Sequence, residues 1–495
     1  MTNGDLINIF MERGCLHHQA EFAAKFFDKV PARLHLLISP PGSGKSATIT
    51  TIIRHSISSC NSRRILLLTS SMDLAGQWEY LLKEAGLALP IEILDKRRFR
   101  DLEFSKPSEE SPLLETGIVI MTPHLARQKD VAAALGSVPW DLLVVDEVDR
   151  LHRRSQIGEL VEHLLIQSGG LRAILLSSFG RWHDEQLSLL FKRFKGIVET
   201  RWSYQDMRGR DGGPLIPEIH IEWISYRRSN VEVQFLEDLE KALREFISRN
   251  QAIRFIALNI LKSASSSLFA LGQRLRRLRQ RRNEVVHGLY RSDSQGSLFE
   301  NTEEPDLEGS NEMVKLRALA KLSDVVTPFI GAVEELPTDS KFDALQRVLE
   351  EIISPETAEK SICIVTDFVD TANFLASALR ERLDNLALIA GQQTFHDREK
   401  KIERFRNDGG VIIATRHAVT SHISAKNVIF YDSPVRREVL EEQIGYFMRA
   451  NEFKSVRILG LTDTSDVLDF ERLALSSPDA MDADSTLSTD SLYEI

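Results

Sequence analysis

A chain of 495 residues is too long for one core, so two or three domains are expected, and 42% hydrophobic with 27% charged residues is the mix of a soluble globular protein. No apolar run reaches the length of a membrane span, the N-terminus lacks a signal-peptide pattern, and three widely separated cysteines (Cys15, Cys60, Cys363) give neither a disulfide framework nor metal-ligand spacing, which points to a reducing, cytoplasmic setting. The net charge of −10 argues against attraction of the whole surface to nucleic acid, so any such binding must use a local basic groove.

Residues 1–33 read as helical. Gln19 lies just upstream of the first strand, where its amide donor and acceptor can read an adenine edge. His17 and His18 read as surface residues, because no cysteine or carboxylate stands at metal-ligand spacing. The apolar residues 34–38 predict a strand, and Ser39-Pro40-Pro41-Gly42-Ser43-Gly44-Lys45-Ser46 follows, leading into a helical stretch. A glycine-rich turn between strand and helix aims backbone N–H groups and a helix N-terminus at an anion. Lys45 then reaches the β- and γ-phosphates of a nucleotide and the Ser46 hydroxyl holds Mg²⁺, with Gly42, Ser43 and Gly44 forming the cradle. The first position of that pattern is usually Gly or Ala and here is Ser39.

Residues 64–69 and 118–121 read as further strands. Each ends in small hydroxyl residues, Ser70 and Ser71 in one case and Thr122 in the other. Two readings stand for these hydroxyls: phosphate contacts at the carboxyl end of a parallel sheet, or ordinary capping of the following helix. Trp140-Asp141-Leu142-Leu143-Val144-Val145-Asp146-Glu147-Val148-Asp149 is an unbroken apolar strand that delivers carboxylates at its end. Paired with the phosphate loop, Asp146 can hold Mg²⁺ and Glu147 can polarise the attacking water; the competing reading is a surface acidic turn. Residues 173–176 form another strand, ending in Ser177 and Ser178.

Residues 228–335 change character. Phe235, Leu236, Leu239, Leu243 and Phe246 form one helical stripe, and Leu268, Leu271, Leu275 and Leu278 form a second. The second helix also carries Arg274, Arg276, Arg277, Arg279, Arg281 and Arg282, of which Arg274, Arg277 and Arg281 share a face. Such a run binds phosphates or pairs with nearby acidic residues; without interleaved aromatics it does not predict base stacking. Residues 291–312 read as a polar, acidic loop. From Asp339 onward strands and helices alternate again, with strands at 361–366, 411–415 and 428–432 and a short one before Ala390, which predicts a second parallel sheet. Residues after 476 are rich in Ser, Asp and Thr and read as an acidic tail.

Gln19, the loop from Ser39 to Ser46, Gln77-Trp78, Asp146 to Asp149 and Ser177-Ser178 resemble, in order and spacing, the motifs of superfamily 2 helicases. Gln77-Trp78 and Trp140-Asp141 look most like the Swi/Snf branch. The resemblance implies an α/β fold of two RecA-like parallel-sheet domains joined by a helical spacer: residues 1–227, spacer 228–335, a diverged second domain 336–472 and a tail 473–495. It implies ATP and Mg²⁺ as cofactors, bound where the two domains meet, with Lys45, Asp146, Glu147 and Arg449 in catalysis. Asp149, Ser177 and Ser178 would couple hydrolysis to movement, and Ser71, Gln77, Thr122 and Thr415 would touch the nucleic-acid backbone, joined by Arg274, Arg277 and Arg281 if the arginine run binds phosphate. The family's last motif reads Gln-Arg-x-Gly-Arg-x-x-Arg; here Glu442 to Arg449 keep only Gly445 and the final arginine, and Tyr446 cannot supply the missing charge. The segment after Thr415 is also shortened. The expected function is an ATP-dependent translocase or helicase on DNA, within a larger DNA-processing or phage-defence complex whose partner supplies targeting or nuclease activity. A hydrolysis-impaired, nucleotide-gated subunit and an RNA helicase are the alternatives.

Overall fold

The computed structural model describes residues 2–28, 32–40, 42–105, 113, 117–148, 154–178, 196–203, 207–209, 212–213, 217–249, 254–286, 312–353, 361–383, 385–391, 393, 395–419, 423–432, 437–447 and 453–465. The chain divides into two units, the first carrying residues up to Pro217, the second those from Glu218 to Phe447 and from Ser455 on.

The first unit is built on seven parallel strands: β1 (Leu34–Ser39), β2 (Ile65–Leu68), β3 (Ile91–Ile93), β4 (Ile118–Met121), β5 (Leu142–Val145), β6 (Arg172–Ser178) and β7 (Val198–Arg201), in the order β3-β4-β2-β5-β6-β1-β7. Strands β1, β2, β4 and β5 are buried at every position, as expected for a sheet covered on both faces. Alternation does the sorting. Leu36, Ile38, Leu66, Leu68, Leu143 and Val145 enter one core, whereas Leu37, Ile65, Leu67, Leu142 and Val144 enter the other. Helices Asn3–Glu12, His17–Phe26, Lys45–Ser59 and Met72–Glu84 close the second core through Phe10, Phe22, Ile49, Ile52 and Trp78. Helices Lys96–Ser105, Lys129–Gly136 and Arg154–Gln167 close the first through Phe99, Val131, Leu135, Leu160 and Leu164.

The second unit holds six parallel strands in the order β10-β11-β9-β12-β13-β8: β8 (Glu218–Tyr226), β9 (Ser361–Thr366), β10 (Leu386–Ile389), β11 (Gly410–Thr415), β12 (Asn427–Phe430) and β13 (Ser455–Asp463). The α/β class with two parallel sheets is thus as expected, with two corrections. Residues 218–226 were placed in the first domain; β8 instead pairs along its whole length with β13 and edges the second sheet. Its alternating exposed and half-buried pattern is that of an edge strand and carries no sign of which sheet it joins. Strand β13 is not evident from the sequence, because residues 455–463 mix Arg457, Gly460 and Thr462 with the apolar positions. Helices Asn230–Arg249, Arg254–Ser266, Leu268–Val286 and Glu312–Glu334 form a separate core in this unit, made by the two predicted stripes with Leu322, Val326 and Ile330. No helix among the described residues is long and apolar enough to cross a membrane.

His35, on β1, is buried and its Nε2 lies 3.1 Å from the Ala32 carbonyl. Burial, aided by the Arg172 guanidinium, pushes its imidazole down to about 4. A histidine that resists protonation only when folded leaves the unfolded chain binding more protons between pH 4 and 6.5. Stability should therefore fall as pH drops through that window, by about 2–3 kcal/mol from this group. Urea unfolding of His35→Gln at pH 7.5 and 4.5 should show that loss reduced.

Candidate functional site

Because all strands of the first sheet run parallel, their carboxyl ends share one edge. Across it lie Thr122 after β4, Thr69 to Ser71 after β2, Asp146 and Glu147 after β5, Ser177 and Ser178 on β6, and Ser39 ending β1. The predicted groups that end these strands are thereby gathered along one edge.

At β1 the chain turns through Gly42 and Gly44, both at positive φ (76° and 82°), into the helix that starts at Lys45. The positive φ at Gly44 strains any other residue there, and an added Cβ would also press on Gln19 Nε2 and displace that side chain. Gln19 is spent on this loop: its Nε2 donates to the Ser43 carbonyl (3.2 Å) and its Oε1 accepts from Leu16 N–H (3.0 Å). The two groups assigned to an adenine edge are engaged within the chain. Ser39, the departure from the usual pattern, accepts a hydrogen bond from Ser43 Oγ (3.1 Å) in full burial, which gives its extra hydroxyl a partner. Lys45 Nζ donates to the carbonyls of Ser39 (2.8 Å) and Pro40 (3.2 Å), holding the ammonium over the loop. Ser46 follows on the first helical turn, half-buried.

Asp146 leaves β5 into a buried position. Its Oδ2 accepts from the indole N–H of Trp78 (2.7 Å) and its Oδ1 from Glu147 N–H (2.9 Å). Burial, then the Glu147 charge, push its carboxyl up to about 6, against the pull of the Trp78 hydrogen bond and the Lys45 ammonium. Glu147 stands in the left-handed region (φ 50°), a strain of about 1–3 kcal/mol for a non-glycine residue. Its Oε2 accepts from Ser70 Oγ (2.7 Å). The Ser46 hydroxyl and the Asp146 carboxylate are the hard oxygen donors that suit Mg²⁺, and a buried carboxylate whose charge is disfavoured gains from a cation; these residues fit the ion.

The remaining assignments divide. Ser71 and Thr122 cap their helices, accepting from Leu74 N–H (3.2 Å) and Leu125 N–H (3.4 Å), as the capping reading had it. Gln77 is half-buried, and Ser177 is buried beside Ile38 in the register. Asp149 and Arg449, with the side chains of Ser178 and Arg281, lie outside the described residues. In the second unit Thr415 is buried at the end of β11. Of the arginine run, Arg277 pairs with Asp370, Arg276 with Glu334 and Arg282 with Asp324 (2.9 Å). Arg274 lies 5.8 Å from the Phe368 ring, and its burial lowers the guanidinium's affinity for its proton. Three of the arginines on this helix, Arg276, Arg277 and Arg282, thus pair with carboxylates.

Sequence reasoning missed a buried polar centre at the carboxyl edge of the second sheet. Asp432, just past β12, accepts from Lys341 Nζ (2.7 Å) with one oxygen. Its other oxygen accepts from Ser266 Oγ (2.8 Å), Thr366 Oγ1 (2.5 Å) and Asp367 N–H (2.9 Å). Burial alone would push the Asp432 carboxyl up, but Lys341 and these donors hold it below its ordinary value. Arg228 reaches the same region, donating to Asp463 (2.6 Å) and to the Ser265 carbonyl (3.1 Å), which also accepts from Lys341 (3.0 Å). The turn at Ser265 to Ser267 thus fastens the helices to the sheet. Removing one member of a buried pair strands the other's charge, so Lys341→Met should cost about 3–5 kcal/mol in chemical unfolding.

Residues 18–178 match the DEAD/DEAH box helicase family model. Over these residues the chain is similar to the domain of a helicase-type ATPase. Among solved structures, the helicase domain of Hef from Pyrococcus furiosus is similar at 14% identity with a TM-score of 0.52, covering 94% of this chain and 98% of that one. That likeness is one of fold. Dbp5 of S. cerevisiae, bound to RNA and ADP BeF3, is similar at 13% identity with a TM-score of 0.48, covering 99% of this chain and 94% of that one. No curated protein matches the chain.

Proposed function

We propose, from the likeness of residues 18–178 to a DEAD/DEAH box helicase domain, that this chain binds ATP with Mg²⁺ at the carboxyl edge of the first sheet and hydrolyses it to move along a nucleic-acid backbone. One observation carries the reading. A glycine turn with Lys45 after β1 and the Asp146–Glu147 pair after β5 stand on the same edge of one parallel sheet. Lys45 would exchange its two carbonyl partners for phosphate oxygens, a stronger charge-assisted bond. Backbone N–H groups of the loop and of the first turn of the helix Lys45–Ser59 would hold the remaining phosphate charge. Ser46 and Asp146 would hold Mg²⁺, which when bound neutralises charge building on the phosphates. Glu147 would accept a hydrogen bond from the water whose oxygen bonds the γ-phosphorus as the bond to the β,γ-bridging oxygen breaks.

DNA is the favoured track on the strength of Gln77-Trp78 and Trp140-Asp141, the blocks nearest the Swi/Snf pattern, and a protein partner would supply targeting or nuclease activity. Backbone grip by strand-end groups reads little sequence. A second reading, a nucleotide-gated subunit without turnover, draws on Gln443 and Tyr446 in the last motif.

Steady-state ATP hydrolysis by the purified chain should rise with double-stranded DNA more than with single-stranded DNA or RNA. Lys45→Ala and Glu147→Gln should each lower it by about 10²-fold or more. Stimulation by RNA alone would reassign the track. ATP binding with no turnover under any condition would favour the gated subunit.

A further inference from the structure

We infer that Trp78 and Ser70, both carried by the segment that follows β2, are positioning residues for the two carboxylates, Trp78 for Asp146 and Ser70 for Glu147. The inference rests on the functional reading above and deepens it.

The strands make the contact unavoidable. β2 and β5 are neighbours in register, Leu68 opposite Val145, and Asp146 N–H donates to the Leu68 carbonyl (2.8 Å). Whatever follows Leu68 therefore stands beside Asp146 and Glu147. Thr69 comes first and donates its N–H to the Met121 carbonyl of β4 (3.0 Å); Ser70 is next, and its hydroxyl donates to Glu147 Oε2 at 2.7 Å. Ser71 then caps the helix Met72–Glu84, and two turns along it Trp78 comes back over the end of β5. Trp78 is 1% exposed, packed in the core with Ile49, Ile52 and Leu82, and aims its N–H at Asp146 Oδ2 from 2.7 Å.

Packing alone explains neither residue. A phenylalanine would fill most of the volume that Trp78 fills but would bring no donor, and an alanine would serve at Ser70 if only the turn mattered. What the two residues add is one N–H and one O–H, each aimed at a different carboxylate. With Trp78 on Oδ2 and Glu147 N–H on Oδ1, each oxygen of Asp146 has a fixed donor, so the carboxylate plane cannot rotate without losing a buried hydrogen bond. Glu147 has its backbone held by the same Asp146 oxygen and its side chain by Ser70. The carboxylate assigned to the cation and the carboxylate assigned to water are therefore oriented by two separate groups. This separation makes the two roles distinguishable by experiment.

The test uses the full chain and two readouts. ADP affinity is measured by calorimetry across a series of Mg²⁺ concentrations, and kcat and KM for ATP are measured in parallel. Trp78→Phe should raise the Mg²⁺ concentration needed for half-maximal ADP affinity by about ten-fold, within the range known for lost partners of metal ligands, while metal-free ADP affinity stays as in the wild type. Trp78→His, which keeps a ring N–H, should recover part of that shift. Ser70→Ala should lower kcat by about ten-fold with KM unchanged, and Ser70→Thr should restore it. Unaltered Mg²⁺ dependence in Trp78→Phe, or equal loss of metal-free affinity, overturns the role of Trp78. Wild-type kcat in Ser70→Ala, or a threonine variant no better than alanine, overturns that of Ser70. If the wild type binds ADP and turns over ATP, these results sink the positioning roles alone. If it binds no nucleotide at any Mg²⁺ concentration, the functional reading fails and the positioning roles fall with it.

Discussion

The carboxylate of Asp146 stands at the end of a strand sealed on both faces, and the first unit is arranged around that fact. A charge there cannot be left to water, so the fold surrounds it with an indole N–H, a backbone N–H and, at longer range, the Lys45 ammonium. These groups compensate in part: its carboxyl remains pushed up to about 6 by burial and by Glu147. A parallel sheet makes the arrangement available, because it delivers the ends of β1, β2 and β5 to one edge and surrounds them with helix N-termini. The positive-φ turn at Gly42 and Gly44, the strained Glu147 and the raised Asp146 lie along that edge, as expected where structure is held against its local preferences.

The second unit solves the same problem differently. Asp432 also follows a fully buried parallel strand, yet it receives two hydroxyls, a backbone N–H and an ammonium, and its carboxyl is held low instead of high. Its neighbour Asp367 pairs with Arg416 and is pushed up to about 6, chiefly by burial. In the first unit the carboxylate keeps an unmet demand for positive charge; in the second the demand is met from within, and the result is a joint between helices and sheet.

Much of this was legible in the sequence because it depends on local pattern. Unbroken apolar runs predicted β1 and β5, and the turn from Ser39 to Ser46 could be read from its glycines and lysine. The stripes at Phe235 to Phe246 and Leu268 to Leu278 met in one core because helical periodicity is a property of the segment itself. What depends on distant partners was not legible. β8 belongs to the second sheet because β13, more than two hundred residues later, pairs with it, and no local feature of residues 218–226 announces that. Likewise Arg276, Arg277 and Arg282 read as phosphate ligands or as half of a set of ion pairs until Glu334, Asp370 and Asp324 are placed beside them. Gln77-Trp78 was recognised as a motif, but the indole N–H on Asp146 exists only once β2 and β5 are neighbours.

The most direct test is hydrogen–deuterium exchange of the full chain with and without ADP and Mg²⁺. A nucleotide held by the loop after β1 and by the carboxylates after β5 should slow amide exchange at residues 42–48, and also at 69–78 and 145–148, which share hydrogen bonds with Asp146 and Glu147. Protection absent from residues 42–48, or confined to the second unit, would contradict the account.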